Sequence, residues 1–324
     1  MRFWDAIKEL SAQGVRDEAR RLFVLALAGD PIEVEKAREL CLGEGGRAGD
    51  AWVANPFLYC VSPPYNEEDE KWLRHADLIV SLPGGPGLTD FRPADTLPVA
   101  RAEDILQAVM AYRQDLRIAL ARRLPGFRRL AADHVIADVS RINAEFALLS
   151  TLTQGLPWLQ PLFPAIAGAD VLVLTKNQML LVFRLAAIYD QDLSPWIRLR
   201  QTLPIVGSAV GWRTIARELA GLVPVAGLPF KAAVAFTGTY ASGRAVQMVF
   251  DKGRQPTRLE MRKIYEEGAL LAKGAVAALK DRIRRRKPEG SAAKALMEGQ
   301  AADADLIETA DETSPDIHAP SARE

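Results

Sequence analysis

The chain has 324 residues, 49% of them hydrophobic, and its 41 basic side chains are balanced by 41 acidic ones. This length predicts one large or two ordinary domains with a substantial core, and the balanced charge gives no support to a nucleic-acid partner. The two cysteines, Cys41 and Cys60, are far apart in apolar settings. This excludes a disulfide framework and favours a reducing compartment.

The first part of the chain alternates apolar strands with helices. An apolar run over 21–29 is typical of a buried strand, and Asp30 and Pro31 then begin a helix as its N-cap and first residue. The other predicted strands lie near 57–61, within 76–87 and over 96–100, and the other predicted helices lie over 2–12, 66–76 and 102–113. This alternation predicts a small α/β domain with a parallel sheet over residues 1–115.

The pattern over 116–286 is helical, which predicts a second, all-α domain. Its predicted helices lie over 114–152 with a break at Pro125–Gly126, over 167–189, within 202–253 as a pair joined near Pro224–Pro229, and over 257–286. The tail over 287–324 carries nine acidic side chains and no aromatic residue, so it is predicted to be disordered.

The stretch over 20–40 has the strand–glycine–helix pattern of a phosphate loop. A phosphate loop needs a second glycine and a Lys-Ser/Thr pair, which bind the phosphates and Mg²⁺. Here Gly29 is followed by Asp30, and Glu33 and Glu35 lie in the first helical turns, where they would repel a phosphate. We therefore interpret this stretch as a capped strand-to-helix turn and predict that it binds no nucleotide.

Other chemical patterns are equally sparse. The glycine-rich turn over 84–87 has no basic residue close by and is interpreted as a surface turn. The histidines His75, His134 and His318 are scattered, and neither a C-x-x-C nor a G-x-S-x-G pattern occurs. We therefore predict a protein that is not an enzyme, with no catalytic residues, no metal and no cofactor.

Two long stretches raise the question of a membrane. Residues 146–169 carry no charge, and residues 219–243 carry only Lys231. Each has the roughly 20 residues that a membrane span needs, but prolines break both. A bent hairpin in one leaflet and a buried helical pair both fit this pattern. The candidate membrane-contact or helix-packing residues are Gly207, Gly211, Pro224, Gly227, Pro229 and Gly238.

The helical part resembles a known family. The stretch "ADVLVLTKNQMLLVFRLAAIYDQDL" over 169–193, the segment over 206–245 and "DVSRINAEFALLSTL" over 138–152 resemble the bacterial DUF697 (YcjF-like) family of uncharacterised proteins. Its members often accompany Era-like GTPase domains, and many are described as membrane proteins. The resemblance covers about 130–255 and implies that the α/β domain is a reduced, P-loop GTPase-like domain that has lost its nucleotide-contacting motifs.

The motif of that family falls on Thr175, Lys176, Asn177 and Gln178. These polar residues either hydrogen-bond neighbouring helices or contact a ligand or partner. The sequence and the resemblance together predict a non-catalytic, membrane-associated interaction or scaffold protein. It would lie at the cytoplasmic face of the cell membrane or in the cytoplasm. Its partners would be a membrane surface or bilayer, another protein or further copies of itself. The alternatives are a GTP-binding or GTP-hydrolysing switch with an atypical loop, and a soluble helical oligomerisation module.

Overall fold

The computed structural model describes residues 13–43, 55–85, 96–154, 166–193 and 228–285. The chain divides into two compact units, Met1–Val276 and Ala277–Glu324. The domain boundary predicted near residue 115 therefore lies inside the first unit. The predicted helix over 2–12, the first helix of the predicted pair within 202–253 and the acidic tail over 287–324 lie outside the described residues.

The first unit begins with a parallel α/β layer, as predicted. Helix α1 covers residues 13–20, where no element was predicted. The elements that follow are β1 (Leu25–Ala28), α2 (Pro31–Leu42), β2 (Leu58–Val61), α3 (Glu67–His75), β3 (Leu78–Ser81), β4 (Thr96–Pro98) and α4 (Ile105–Tyr112). Asp30 caps α2 by accepting a hydrogen bond from the Ile32 N–H, which confirms the predicted start of this helix.

The four strands form one parallel sheet in the order β2-β1-β3-β4. Leu25 of β1 pairs with Leu58 on one side and with Leu78 on the other, so β1 is a central strand. All four residues of β1 are buried, as expected for a parallel strand covered on both faces. On one face, Ala26 and Ala28 pack in a cluster with Leu73 of α3.

The helical part follows, and its last helix continues past Val276, where the second unit begins. Its helices are α5 (Arg117–Arg123), α6 (Arg128–Gln154), α7 (Ile166–Ile188), α8 (Leu228–Lys252) and α9 (Arg258–Arg285). A short 3₁₀ turn, Pro125–Phe127, separates α5 from α6, which confirms the predicted break. Helices α6, α7 and α8 pack on one another around buried residues that include Ile136, Leu181 and Ala245.

The α/β layer and the helical part meet at the end of α2. A Cβ atom on Gly126 would overlap the carbonyl oxygen of Leu40, so glycine alone allows this approach of the two main chains.

Two further 3₁₀ turns, Ala102–Asp104 and Gln114–Leu116, precede α4 and α5. Among the helices in the described ranges, none has both the length and the hydropathy that a membrane crossing requires.

Candidate functional site: the sheet edge and a polar network

The strand order creates a topological switch point at β1. Helix α2 leads from β1 to β2, and α3 then leads back to β3 on the other side of β1. In open α/β sheets, ligands bind in the crevice at the carboxyl ends of the two strands beside such a point. Here that edge is formed by Gly29 and Asp30 after β1 and by Leu82–Gly85 after β3.

The backbone N–H groups at the end of β1 are engaged within the protein. Gly29 N–H donates to the Val61 carbonyl oxygen at 3.3 Å, and Asp30 N–H donates to the Pro83 carbonyl oxygen at 2.7 Å. Pro31 has no N–H group, and the Ile32 N–H donates to the Asp30 carboxylate at 2.9 Å. An anion at a helix N-terminus is normally held by such N–H groups. Residues 29–32 therefore offer no free N–H group to one.

The turn after β3 fills the remaining space at this edge. A Cβ atom on Gly85 would lie 2.6 Å from the Ala28 carbonyl oxygen, and one on Gly29 would lie 2.8 Å from the Cβ atom of Leu82. Pro83 and Gly84 are exposed, as expected of a surface turn. The turn also lies directly against the end of β1, which the sequence interpretation missed.

The charges at the start of α2 are negative and have partners. The Glu33 carboxylate accepts hydrogen bonds from the Lys36 ammonium at 2.8 Å and from the Ala102 N–H at 3.2 Å. These two bonds hold the pKa of Glu33 below its usual value. Glu33 therefore joins α2 to the turn after β4 and keeps a negative charge where a phosphate would approach.

A second polar region lies inside the helical part. Asn143 of α6 is fully buried, and its amide nitrogen donates to the Thr239 hydroxyl of α8 at 2.9 Å. The amide nitrogen of Asn177 on α7 donates to the Asn143 side-chain oxygen at 2.8 Å, and that of Gln178 donates to the Thr239 hydroxyl at 3.5 Å. We call these four residues the polar network. It connects three helices whose other contacts are mostly apolar.

The polar network is not fully satisfied within the described residues. The side-chain oxygen of Gln178 is buried and has no hydrogen-bond partner among them, and the same is true of the Thr237 hydroxyl. Such atoms cost free energy when they are removed from water without a partner. Exchanging the oxygen and nitrogen of the Gln178 amide would let the Thr239 hydroxyl donate to it, but would leave the amide nitrogen unpaired.

A third set of polar contacts links α8 to its neighbours. Arg244 donates to Asp133 of α6 and, at 2.8 Å, to Gln247. The Tyr240 hydroxyl donates to Glu267 of α9 at 2.7 Å. Burial and this hydrogen bond raise the pKa of Tyr240 from about 10 to about 12, so its hydroxyl keeps its proton further into the alkaline range than an ordinary tyrosine does.

The structure brings together part of the predicted motif. Asn177 and Gln178 belong to the polar network, and Lys176 is half-buried on α7. Thr175 is a residue of α7, Pro229 lies in the first turn of α8, and Gly238 is buried within α8. The candidates Gly207, Gly211, Pro224 and Gly227 lie outside the described residues.

Sequence reasoning missed Asn143, Thr239 and Arg244. A threonine in a mostly apolar helical stretch, as at Thr239, is a usable signal, because a buried polar side chain needs a partner. Asn143 lies between Arg141 and Glu145 and gives no such signal. In the part of the chain that the structure describes, no group of three or more His, Cys, Asp or Glu side chains is placed to hold a metal ion. Comparison of the chain with protein-family models, curated proteins and solved structures found no significant match.

Proposed function

We propose that this chain is a non-catalytic interaction protein in which the ligand crevice of a GTPase-like α/β layer is closed, and whose helical part associates with a membrane surface. The observation that carries the proposal is the bond from the Asp30 N–H to the Pro83 carbonyl oxygen. Sheets of this kind bind ligands at the end of β1, where such N–H groups hold the ligand. Here the Asp30 N–H holds the main chain of the turn after β3 in place of a ligand.

The acidic side chains at the same edge support the non-catalytic part of the proposal. Asp30 and Glu33 begin α2, and the carboxylates of both accept hydrogen bonds from backbone N–H groups. A nucleotide would have to displace the turn over 82–85 and approach two carboxylates. The resemblance to the DUF697 family belongs to the proposal as well, since it supplies the membrane and GTPase-like context.

Titration calorimetry with GTP, GDP and ATP in the presence of Mg²⁺ tests the closed crevice. We expect no heat of binding for the wild-type protein. The matched variant Asp30→Asn removes a negative charge while its side-chain oxygen still caps α2, and it too is expected to give none. Saturable binding by the wild-type protein would overturn the proposal. Tighter binding by Asp30→Asn would then place the nucleotide at this edge.

Fractionation of cell extracts tests the membrane part. The uncharged stretch over 146–169 and the single charge over 219–243 motivate it. We expect the full-length chain in the membrane fraction at low salt. A salt wash should release it if it binds a charged lipid surface, whereas detergent should be needed if it enters the bilayer. Complete recovery in the supernatant at low salt would overturn this part.

A further inference from the structure

The outward face of α9 carries exposed leucines between charged residues. Leu259 is 65% exposed and Leu270 is 68% exposed. The opposite face of the helix is covered, because Gly268 lies against Tyr240 and Ala269 packs with Val234 of α8. We define the outward face as Leu259, Lys263, Glu266, Leu270, Lys273 and Gly274. Each lies three or four residues from the one before, with Lys273 and Gly274 three and four residues after Leu270, so all six share one side of the helix.

The charges on this face are arranged around Leu270. Glu266 lies one turn before it, and Lys273 lies nearly one turn after it. Glu266 accepts a hydrogen bond from Arg262 at 3.0 Å, and both side chains are more than half exposed. Lys273 has no ion pair among the described residues. An acid and a base on opposite sides of an exposed leucine form a self-complementary pattern.

We propose that α9 is a dimerisation surface, on which the α9 helix of a second copy of this chain packs antiparallel about a two-fold axis at Leu270. Leu270 then packs against Leu270 of the second copy, and Lys273 pairs with Glu266 of the second copy. The two-fold axis repeats this ion pair on the other side, as in any isologous interface.

The geometry of an antiparallel helix pair supports this register. Residues at equal distances before and after the axis come level with each other, so residue 273 of one helix is level with residue 267 of the other and about 1.5 Å along the axis from residue 266. Glu266 and Lys273 also lie on the same side of the helix relative to Leu270, because each residue adds a rotation of 100°. Apart from the backbone of α9 itself, no atom of the described residues lies within 4 Å of the position that a Cβ atom on Gly274 would take, so this side of α9 is open to a second helix.

The small area of a single helix pair limits the strength of the association. One helix pair buries less surface than a standard interface of about 1,600 Å². The dimer is therefore weak and forms at micromolar or higher concentration. This self-association goes beyond the proposed function, since it requires neither a closed crevice nor a membrane.

Sedimentation velocity of the full-length chain, from about 1 to 200 μM without detergent, tests the dimer. We expect a monomer–dimer equilibrium whose dissociation constant rises about tenfold or more in Leu270→Glu. The control Leu22→Glu replaces a leucine that is 77% exposed near the sheet and is expected to change nothing. A monomer at all concentrations would overturn the proposal, as would a dimer that is indifferent to Leu270→Glu.

A charge exchange tests the register. Lys273→Glu places two acids opposite each other and should weaken the dimer, whereas the double variant Glu266→Lys/Lys273→Glu restores both ion pairs and should recover it. Circular dichroism checks that each variant is folded. A folded double variant as weak as Lys273→Glu would show that these residues do not meet, and would overturn the proposed arrangement.

Cysteine crosslinking locates the axis. Leu270→Cys should give a covalent dimer on oxidation, because the two introduced thiols meet at the axis. Leu259→Cys should not, because its two thiols would lie about 33 Å apart along the pair at 1.5 Å per residue. Efficient crosslinking through position 259 and none through position 270 would contradict the antiparallel arrangement.

Discussion

The backbone N–H of Asp30 donates to the carbonyl oxygen of Pro83 at 2.7 Å. Through this bond, the residue that caps α2 is fixed by the turn that follows β3. The two segments are more than fifty residues apart in sequence, and they meet because β1 and β3 are neighbours in the sheet. The place where an open α/β sheet usually receives its ligand is thus a contact within the protein.

Gly85→Ala should destabilise the protein by about 1–3 kcal/mol. The added methyl group would lie 2.6 Å from the Ala28 carbonyl oxygen and 2.8 Å from that of Leu82. The control is Gly14→Ala, since Gly14 is an exposed helical residue and, apart from its own helix backbone, the described residues have no atom within 4 Å of its Cβ position. Urea unfolding measures the free energy of unfolding of both variants. A Gly85→Ala variant as stable as the wild-type protein would show that the turn after β3 does not pack tightly against β1.

Asn143→Ala should destabilise the protein by about 1–3 kcal/mol, because it removes hydrogen bonds to two helices and takes away the acceptor of the Asn177 amide nitrogen. The control Ser140→Ala removes a hydroxyl that is also buried but donates only to the Ile136 carbonyl oxygen of the same helix, and should cost less. A double-mutant cycle of Asn143→Ala with Asn177→Ala should give a coupling energy of about 0.5–1.5 kcal/mol. A coupling energy of zero would contradict the contact.

Glu260 should contribute to the acid sensitivity of the protein. Hydrogen bonds from Arg254 and from the backbone N–H and hydroxyl of Thr257 hold its pKa well below the ordinary value of 4.5. A lowered pKa in the folded state adds stability above pH 4.5, and this stability is lost as the pH falls further. Glu260→Gln should therefore flatten the dependence of unfolding free energy on pH below 4.5. Urea titrations at several pH values measure it, with Glu35→Gln as the control for losing one surface carboxylate.

Both native thiols should react slowly at pH 8. Burial raises the pKa of Cys60 to about 11 and that of Cys41 further still. About one Cys60 side chain in a thousand is then the reactive thiolate. Ellman's reagent should therefore label the folded protein slowly and the urea-unfolded protein quickly, with two thiols counted in urea. Rapid labelling of one thiol in the folded protein would contradict the raised pKa of Cys60, whose side chain is half-buried.

Local patterns were sufficient to predict most of the described elements, although not helix α1, because such patterns depend on residues close in sequence. The apolar run that contains Leu25–Ala28, the N-cap at Asp30 and the break at Pro125 all indicate structure without reference to distant residues. The sequence does not state the strand order, so it could not show that Gly85 lies against Ala28. In the same way, Asn143 and Thr239 are 96 residues apart, and nothing in the spacing of either identifies the other as its partner.

The contact at Gly126 has a mechanical consequence. Gly126 lies just before α6 and contacts the main chain at the end of α2. Because it has no side chain, the two main chains are in direct contact. Helix α6 has 27 residues and is therefore about 40 Å long. A tilt of about 5° where it meets α2 would displace its far end by about 3.5 Å over that length. A substitution at Gly126 that pushed α6 away from α2 would therefore move the far end of this helix further than the contact itself.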